Sequence, residues 1–326
     1  MTLAETGLVS SQKKQYYQTY SLIVMRSYSE KSGEEVVRVI WLLLLSILGL
    51  SLAVVACQTA VDIPEMPRQT QVGPIETAVI DEPYPTLDTA VALTLTLQTG
   101  QLNLSSGADR LITGTVRYNV AEWEPTISRS DDGSRLTIAQ ERLPDHIIPS
   151  EWAVNDWDLG LGQFPLWLTI QGGNQHSYLD LSGVPLQRLT IREGPADSDI
   201  KFTSLNPVLM EQLTYNTGGS TVRLDGLGYA NFTRFDFVGG AGTFLLNFNG
   251  PLQQDAHVNL RAGLSSVRLV IPEETAVRVI FNHDLDDLMT VGEWEQMGRI
   301  YAAPGSGPLL TIQIDMEIGS VTLVRE

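Results

Sequence analysis

The stretch VNLRAGLSSVRLVI (Val258–Ile271) decides how the rest of the chain is read. Apolar Val258 and Leu260 alternate with polar Asn259 and Arg261. Small residues follow (Ala262, Gly263, Ser265, Ser266), and alternation resumes at Val267 and Leu269. Period-two alternation marks a half-buried strand, and small residues between two such runs mark a sharp corner. The stretch reads as strand, tight corner, strand, bracketed by Leu260 and Val267 seven positions apart. The same bracket recurs in YNTGGSTV (Tyr215–Val222), FVGGAGTF (Phe237–Phe244), FNHDLDDL (Phe281–Leu288) and IDMEIGSV (Ile314–Val321). Looser copies begin at Ile170 and Ile191.

The first residues of these segments step by 21, 24, 22, 23, 21 and then 33 positions. A near-constant step with this signature is what a β-solenoid needs, because each rung is too thin to bury its apolar side until rungs stack into one core. The long last step places residues 283–310 partly outside the stack, as a looped excursion before a closing rung at Ile314–Val321. A β-sandwich whose hairpins happen to recur is the alternative. Upstream, short alternating runs at Ala90–Ser106, Arg110–Val120 and Ser134–Glu141 predict further strands, and no amphipathic helix is evident after Leu87. The expected class is all-β: a small β-rich module over residues 87–165 that caps a solenoid over residues 166–326.

The phrases LDLSGVPLQRLTIREG (Leu179–Gly194), LDGLGYANFTRFDFVGGAGTFLLNFNG (Leu224–Gly250) and VNLRAGLSSVRLVIPEETAVRVIFN (Val258–Asn282) resemble the bacterial "toast rack" envelope domains. That family includes the carboxy-terminal domain of the LiaF stress regulator and candidate adhesins. The resemblance covers roughly Leu87 to Glu326. It implies a single-stranded right-handed β-helix of short rungs. GADRLITGTVRYN (Gly107–Asn119), Trp123 with Pro125, and DGSRLTIAQ (Asp132–Gln140) resemble the amino-terminal module often joined to it. FNHDLDDLM departs from the family's small-residue turn, so that rung is expected to be distorted or to carry something.

The address lies upstream. Val39–Ala56 is an 18-residue apolar run ending at Cys57, the only cysteine among 326 residues. Its length is at the lower edge of a bilayer span. With Val54-Val55-Ala56 before the thiol it resembles a bacterial lipoprotein signal, although Val54 stands where leucine is usual. The resemblance implies that Cys57 is acylated and begins the mature protein. An uncleaved anchor, with the carboxy-terminal part exported, is the alternative. Residues 1–24 are expected to be an upstream extension or a cytoplasmic tail, 25–56 the signal peptide or anchor, and 57–86 a tether rich in proline. Cleavage at Cys57 leaves 16 basic against 34 acidic side chains, a formal charge of −18. That balance excludes nucleic acid as a partner, and a single cysteine excludes an internal disulfide.

Chemistry is sparse. Asp284, Asp286 and Asp287 beside His283 offer oxygen ligands of the kind Ca²⁺ takes, but without EF-hand spacing, and a solvated corner is the expected reading. Trp152, Trp157 and Trp167 lie near Glu151, Asp156 and Asp158, a combination that fits stacking on a glycan, against ordinary core roles for the indoles. The four histidines have no metal spacing, and no nucleophile elbow or phosphate loop is present. No cofactor is expected. The sequence points to a non-catalytic envelope lipoprotein presenting a rigid acidic surface to an envelope protein or glycan, in sensing or adhesion. The solenoid end is a possible contact for a second copy. A polysaccharide lyase or hydrolase on a β-helix is the alternative.

Overall fold

A computed structural model describes residues 68–144, 147–316 and 318–326. Cys57 and the apolar run before it lie outside the described residues. Residues 66–326 form one compact unit. Its strands begin with β1 (Arg68–Gln69), β2 (Glu76–Glu82), the long β3 (Val91–Ala108) and β4 (Ile112–Tyr118). Next come β5 (Thr126–Arg129), β6 (Arg135–Ala139), β7 (Ile147–Ile148), β8 (Asn155–Gly162) and a second long strand, β9 (Leu166–Asp180). Strands then arrive in pairs: β10 (Leu186–Glu193) with β11 (Ala196–Lys201), β12 (Met210–Thr217) with β13 (Ser220–Asp225), and β14 (Phe232–Gly239) with β15 (Gly242–Asn247). The series continues with β16 (Ala256–Ala262) and β17 (Ser265–Ile271), then β18 (Ala276–Phe281) and β19 (Asp287–Val291). Two short strands, β20 (Glu295–Met297) and β21 (Ile300–Ala303), precede the last pair, β22 (Leu309–Asp315) and β23 (Gly319–Arg325). No described helix is long and apolar enough to cross a membrane.

The pairs build two sheets. In the first, β9, β10, β12, β14, β16, β22 and β18 lie side by side in parallel. In the second, β9, β11, β13, β15, β17, β23 and β19 do the same. β3 and β9 are long enough to run through both sheets, paired with each other on either side of the corner. The architecture is all-β and is not a closed barrel. It is consistent with a solenoid arrangement.

The bracket residues explain the stacking. Ile170, Ile191, Tyr215, Phe237, Leu260, Ile314 and Phe281 form one continuous ladder in the first sheet. Val222, Phe244, Val267, Val321 and Leu288 form its counterpart in the second. Most of these side chains are sealed from water, and each fully buried aromatic or aliphatic group contributes about 1.5–3 kcal/mol. The rings of Tyr215 and Phe237 stack at 5.5 Å, and Phe244 meets Phe237 edge-on at 5.0 Å. Corner glycines form a column of their own at the turn between the two strands of each rung. The Gly218 amide donates to the Gly194 carbonyl at 3.2 Å, Gly240 to Gly218 at 3.1 Å and Gly263 to Gly240 at 3.1 Å. A Cβ on Gly240 would sit 2.7 Å from the Gly218 oxygen, so only glycine admits this approach.

Two expectations are corrected and a third is refined. The rung at Ile314–Val321 is not the closing one: β22 and β23 insert between the β16–β17 and β18–β19 rungs, so a later segment fills a gap that an earlier one leaves. Residues 283–310 leave the parallel stack only in part. β19 is hydrogen-bonded to β23, and β21 runs antiparallel to β18 with β20 beyond it, covering that end of the first sheet. Finally, residues 76–82 are not spacer, because β2 pairs antiparallel with β4 over seven residues and buries Ile80. At the amino-terminal end β6 pairs with the first half of β3 and β8 with its second half, and antiparallel β5 and β4 lie outside them.

Candidate ligand-facing surface

Strand alternation sends every second residue of the first sheet outward, and parallel register stacks those residues into rows. One row runs Arg188, Gln212, Arg234, His257, Thr311, Arg278. A second runs Thr190, Thr214, Asp236, Asn259, Gln313, and a third Arg192, Asn216, Val238, Arg261, Asp315. Five arginines and a histidine thus collect on one face of a chain whose net charge is −17. The second sheet's outer face is the acidic one, carrying Asp156, Asp158, Asp180, Asp197, Asp199 and Asp225. The expected acidic surface thus lies chiefly on the second sheet, which also carries Lys201, Arg223 and Arg268, whereas the first sheet mixes its arginines with Asp236 and Asp315.

Asp236 anchors the polar rows. It accepts two hydrogen bonds from Arg234 (2.8 and 3.0 Å), one from Gln212 (2.6 Å) and one from Asn259 (2.7 Å). Burial opposes its ionisation, but these donors outweigh burial and hold its carboxyl below the usual range. Gln313 donates to Asn282 at 2.9 Å, and His283 lies 3.1 Å from Asp315. Between these groups lies a cleft of ≈290 Å³, lined by Arg234, Asp236, Asn259, Arg261, Asn282 and Gln313. It adjoins a hollow of ≈420 Å³ at the corner, where Leu264 and Ile318 stand exposed. The cations differ in their commitments. Arg234 is bound to Asp236, and Arg188 lies 3.5 Å from Glu211 and over the Trp167 ring at 5.2 Å. Arg192, Arg261 and Arg278 make no side-chain hydrogen bond or ion pair among the described residues.

The expected site residues are dispersed. Trp157 is a core residue, fully buried with its indole N–H donating to Asn155 at 3.0 Å, so its face is closed to a sugar. Trp152 is exposed in the loop before β8, whereas Trp167 is half-exposed on β9 beside Arg188. Asp284 pairs with Arg299 through two bonds of 2.7 and 2.8 Å, and Asp287 begins β19. No group of three or more metal-ligating side chains is assembled among the described residues. Asp156, considered for carboxylate chemistry, lies 3.4 Å from Arg117 on the second sheet's outer face.

Sequence reasoning missed Glu193. It points into the corner, where Tyr215 donates to it at 2.5 Å, Ser198 at 2.9 Å and Gln175 at 3.1 Å. Burial pushes its carboxyl up, against the pull of those bonds. Its only sequence signal was a charged residue at an inward position beside Gly194. The arginine rows were legible in principle, as the polar partners of alternation in QRLTIREG, TRFDFV and VNLRAG.

Residues 76–207 match the family model described as the N-terminal domain of toast_rack, DUF2154. That match supports a distant toast-rack-like relationship and begins at the first residue of β2. Among solved structures, a candidate cell adhesion protein from Clostridium sporogenes is 16% identical, covering 78% of this chain and 99% of its own, with a TM-score of 0.43. A candidate adhesin from Bacteroides fragilis is 7% identical, covering 79% of this chain and 99% of its own (TM-score 0.32). Another from Parabacteroides merdae is 10% identical, covering 79% and 98% (TM-score 0.31). No curated protein matches the chain.

Proposed function

We propose that this chain is a non-catalytic module of the bacterial cell surface: a right-handed β-helix held at the membrane by lipid on Cys57, presenting one stiff face to an envelope glycan. The observation that carries this reading is the array of outward rows on the first sheet. Stacked parallel rungs fix each row at the inter-strand spacing of about 4.8 Å, so the face offers repeated, preorganised hydrogen-bonding groups over an open cleft. Donors and acceptors here bind one another or face solvent, an arrangement suited to holding a ligand rather than transforming it. Trp152 and Trp167 are the exposed indoles available to stack on sugar rings.

The test uses the full-length protein and its Cys57→Ala variant, expressed with labelled palmitate. Label on the wild type alone, with the folded unit digestible by protease added to spheroplasts, is the expected result. Purified protein should also retain solubilised envelope glycan without generating new reducing ends. An unlabelled wild-type chain would remove the lipid anchor from the reading. Release of reducing ends would replace the binding module with an enzyme.

A further inference from the structure

Resting on that reading, we infer that the outer face of the first sheet takes an acidic glycan: a linear polymer of uronate type, laid along the stack across successive rungs. Three observations converge. The first is charge. Acidic side chains outnumber basic ones 38 to 21 in this chain, yet Arg192, Arg261 and Arg278 stand exposed on one face without a carboxylate partner among the described residues. Unneutralised cations in so acidic a chain are complementary to an external anion. A guanidinium is the side chain best shaped to grip a carboxylate through two parallel bonds.

The second is spacing. Arg192 and Arg261 lie in one row, separated by Asn216 and Val238. Three rungs set them about 14 Å apart. Arg234 and Arg278 are likewise three rungs apart in the first row, on the far side of the Asp236 row. A polymer with regularly repeated carboxylates, running perpendicular to the strands along either row, meets the cations of that row in series, and the sheet offers two such parallel tracks.

The third is what lies between the cations. Gln212, Asn216, Asn259 and Gln313 supply amides, each able to donate and accept, which suits sugar hydroxyls. Exposed apolar groups, which anchor most polypeptide partners, are sparse within the rows. Leu264 and Ile318 sit at the corner instead. The face therefore favours an acidic glycan over an acidic polypeptide.

The experiment measures retention of the full-length protein, in detergent, on immobilised polygalacturonate, dextran and polyglutamate over a range of NaCl concentrations. The comparison is with a variant carrying Arg192→Gln, Arg261→Gln and Arg278→Gln. Arg268→Gln, on the second sheet's outer face, is the control, and unchanged melting temperatures verify folding. The expected result is polygalacturonate binding that weakens with salt, falls about tenfold in the triple variant and is unchanged by Arg268→Gln. Equal binding to polyglutamate would overturn the glycan assignment in favour of an acidic polypeptide. Binding to dextran that ignores both salt and the triple variant would overturn the anionic inference while leaving the glycan-binding reading intact. Binding to none of the three, with envelope glycan still retained, would likewise overturn only the inference; loss of that retention as well would overturn both.

Discussion

Glu193 shows how one side chain can make this fold sensitive to pH. Its carboxyl is buried in the corner, and burial raises it above its ordinary value of 4.5 even though Tyr215, Ser198 and Gln175 all donate to it. A carboxyl raised in the folded state holds its proton more tightly there than in the unfolded chain. Its contribution to stability is therefore complete below pH 4.5 and is lost as pH rises through the folded value. The neutral mimic Glu193→Gln should flatten the dependence of melting temperature on pH above that point, because an amide has no proton to lose there, and its NH2 can donate to the Gln175 oxygen that now lacks a partner. Glu193→Ala should instead cost about 2–4 kcal/mol by stranding the buried donors. Melting curves from pH 4 to 9 (roughly the range of ordinary carboxyl and histidine titration) check both. Parallel curves for the wild type and Glu193→Gln would show that this carboxyl does not titrate within the folded protein.

At the scale of the element, the stack depends on how one rung is handed to the next. Glycine columns serve the turn between the two strands of a rung. On the return segment between β11 and β12 the task falls to Asn206, which is fully buried. It accepts from the Leu186 amide at 3.1 Å and donates to the carbonyls of Leu186 (2.8 Å) and Ala230 (3.1 Å), tying its own return to those before β10 and β14. Asn206→Ala strips a donor from the carbonyls of Leu186 and Ala230 in a dry site, while the Leu186 amide keeps the Val184 carbonyl at 2.8 Å, and the expected loss is about 1–3 kcal/mol. Urea unfolding should show this as a lower midpoint with an unchanged slope. A change below about 0.5 kcal/mol, the scale of ordinary surface substitutions, would mean that the three rungs are joined by packing alone.

For the whole molecule, the decisive feature is that the last rung in the sequence is an interior rung in space. β22 and β23 hold β18 and β19 on one side and β16 and β17 on the other. A chain ending at Ala303 would therefore lose more than its terminal residues. The segment from Ala276 to Ala303 would have no strand of the stack to join, and the Leu260 and Val267 ladders would face water. Limited proteolysis should cut that segment rapidly in the truncated chain and spare it in the intact one. Protection of residues 276–303 after truncation would show that they can pair directly with β16 and β17, and that insertion of the last rung is dispensable.

What the sequence determined was the rung itself. Alternation and the corner are local properties of the chain: side chains on a strand must alternate, and a seven-residue bracket with small residues between its ends must turn. Tyr215, Phe237, Leu260 and Ile314 could therefore be assigned to the core before any strand was paired. The order of the rungs was not legible, because the exposed edge of a parallel sheet accepts any segment with a matching apolar pattern, and Ile314 fits beside Leu260 as well as Phe281 does. Nor was the fate of Trp157 against Trp152, or the seating of β2 within a proline-rich stretch, since burial there depends on strands far away in the sequence. The division of charge between the faces belongs to the tertiary structure for the same reason. Alternation says that Arg192, Arg261 and Arg278 point outward, but only the register of distant strands places them on the same face.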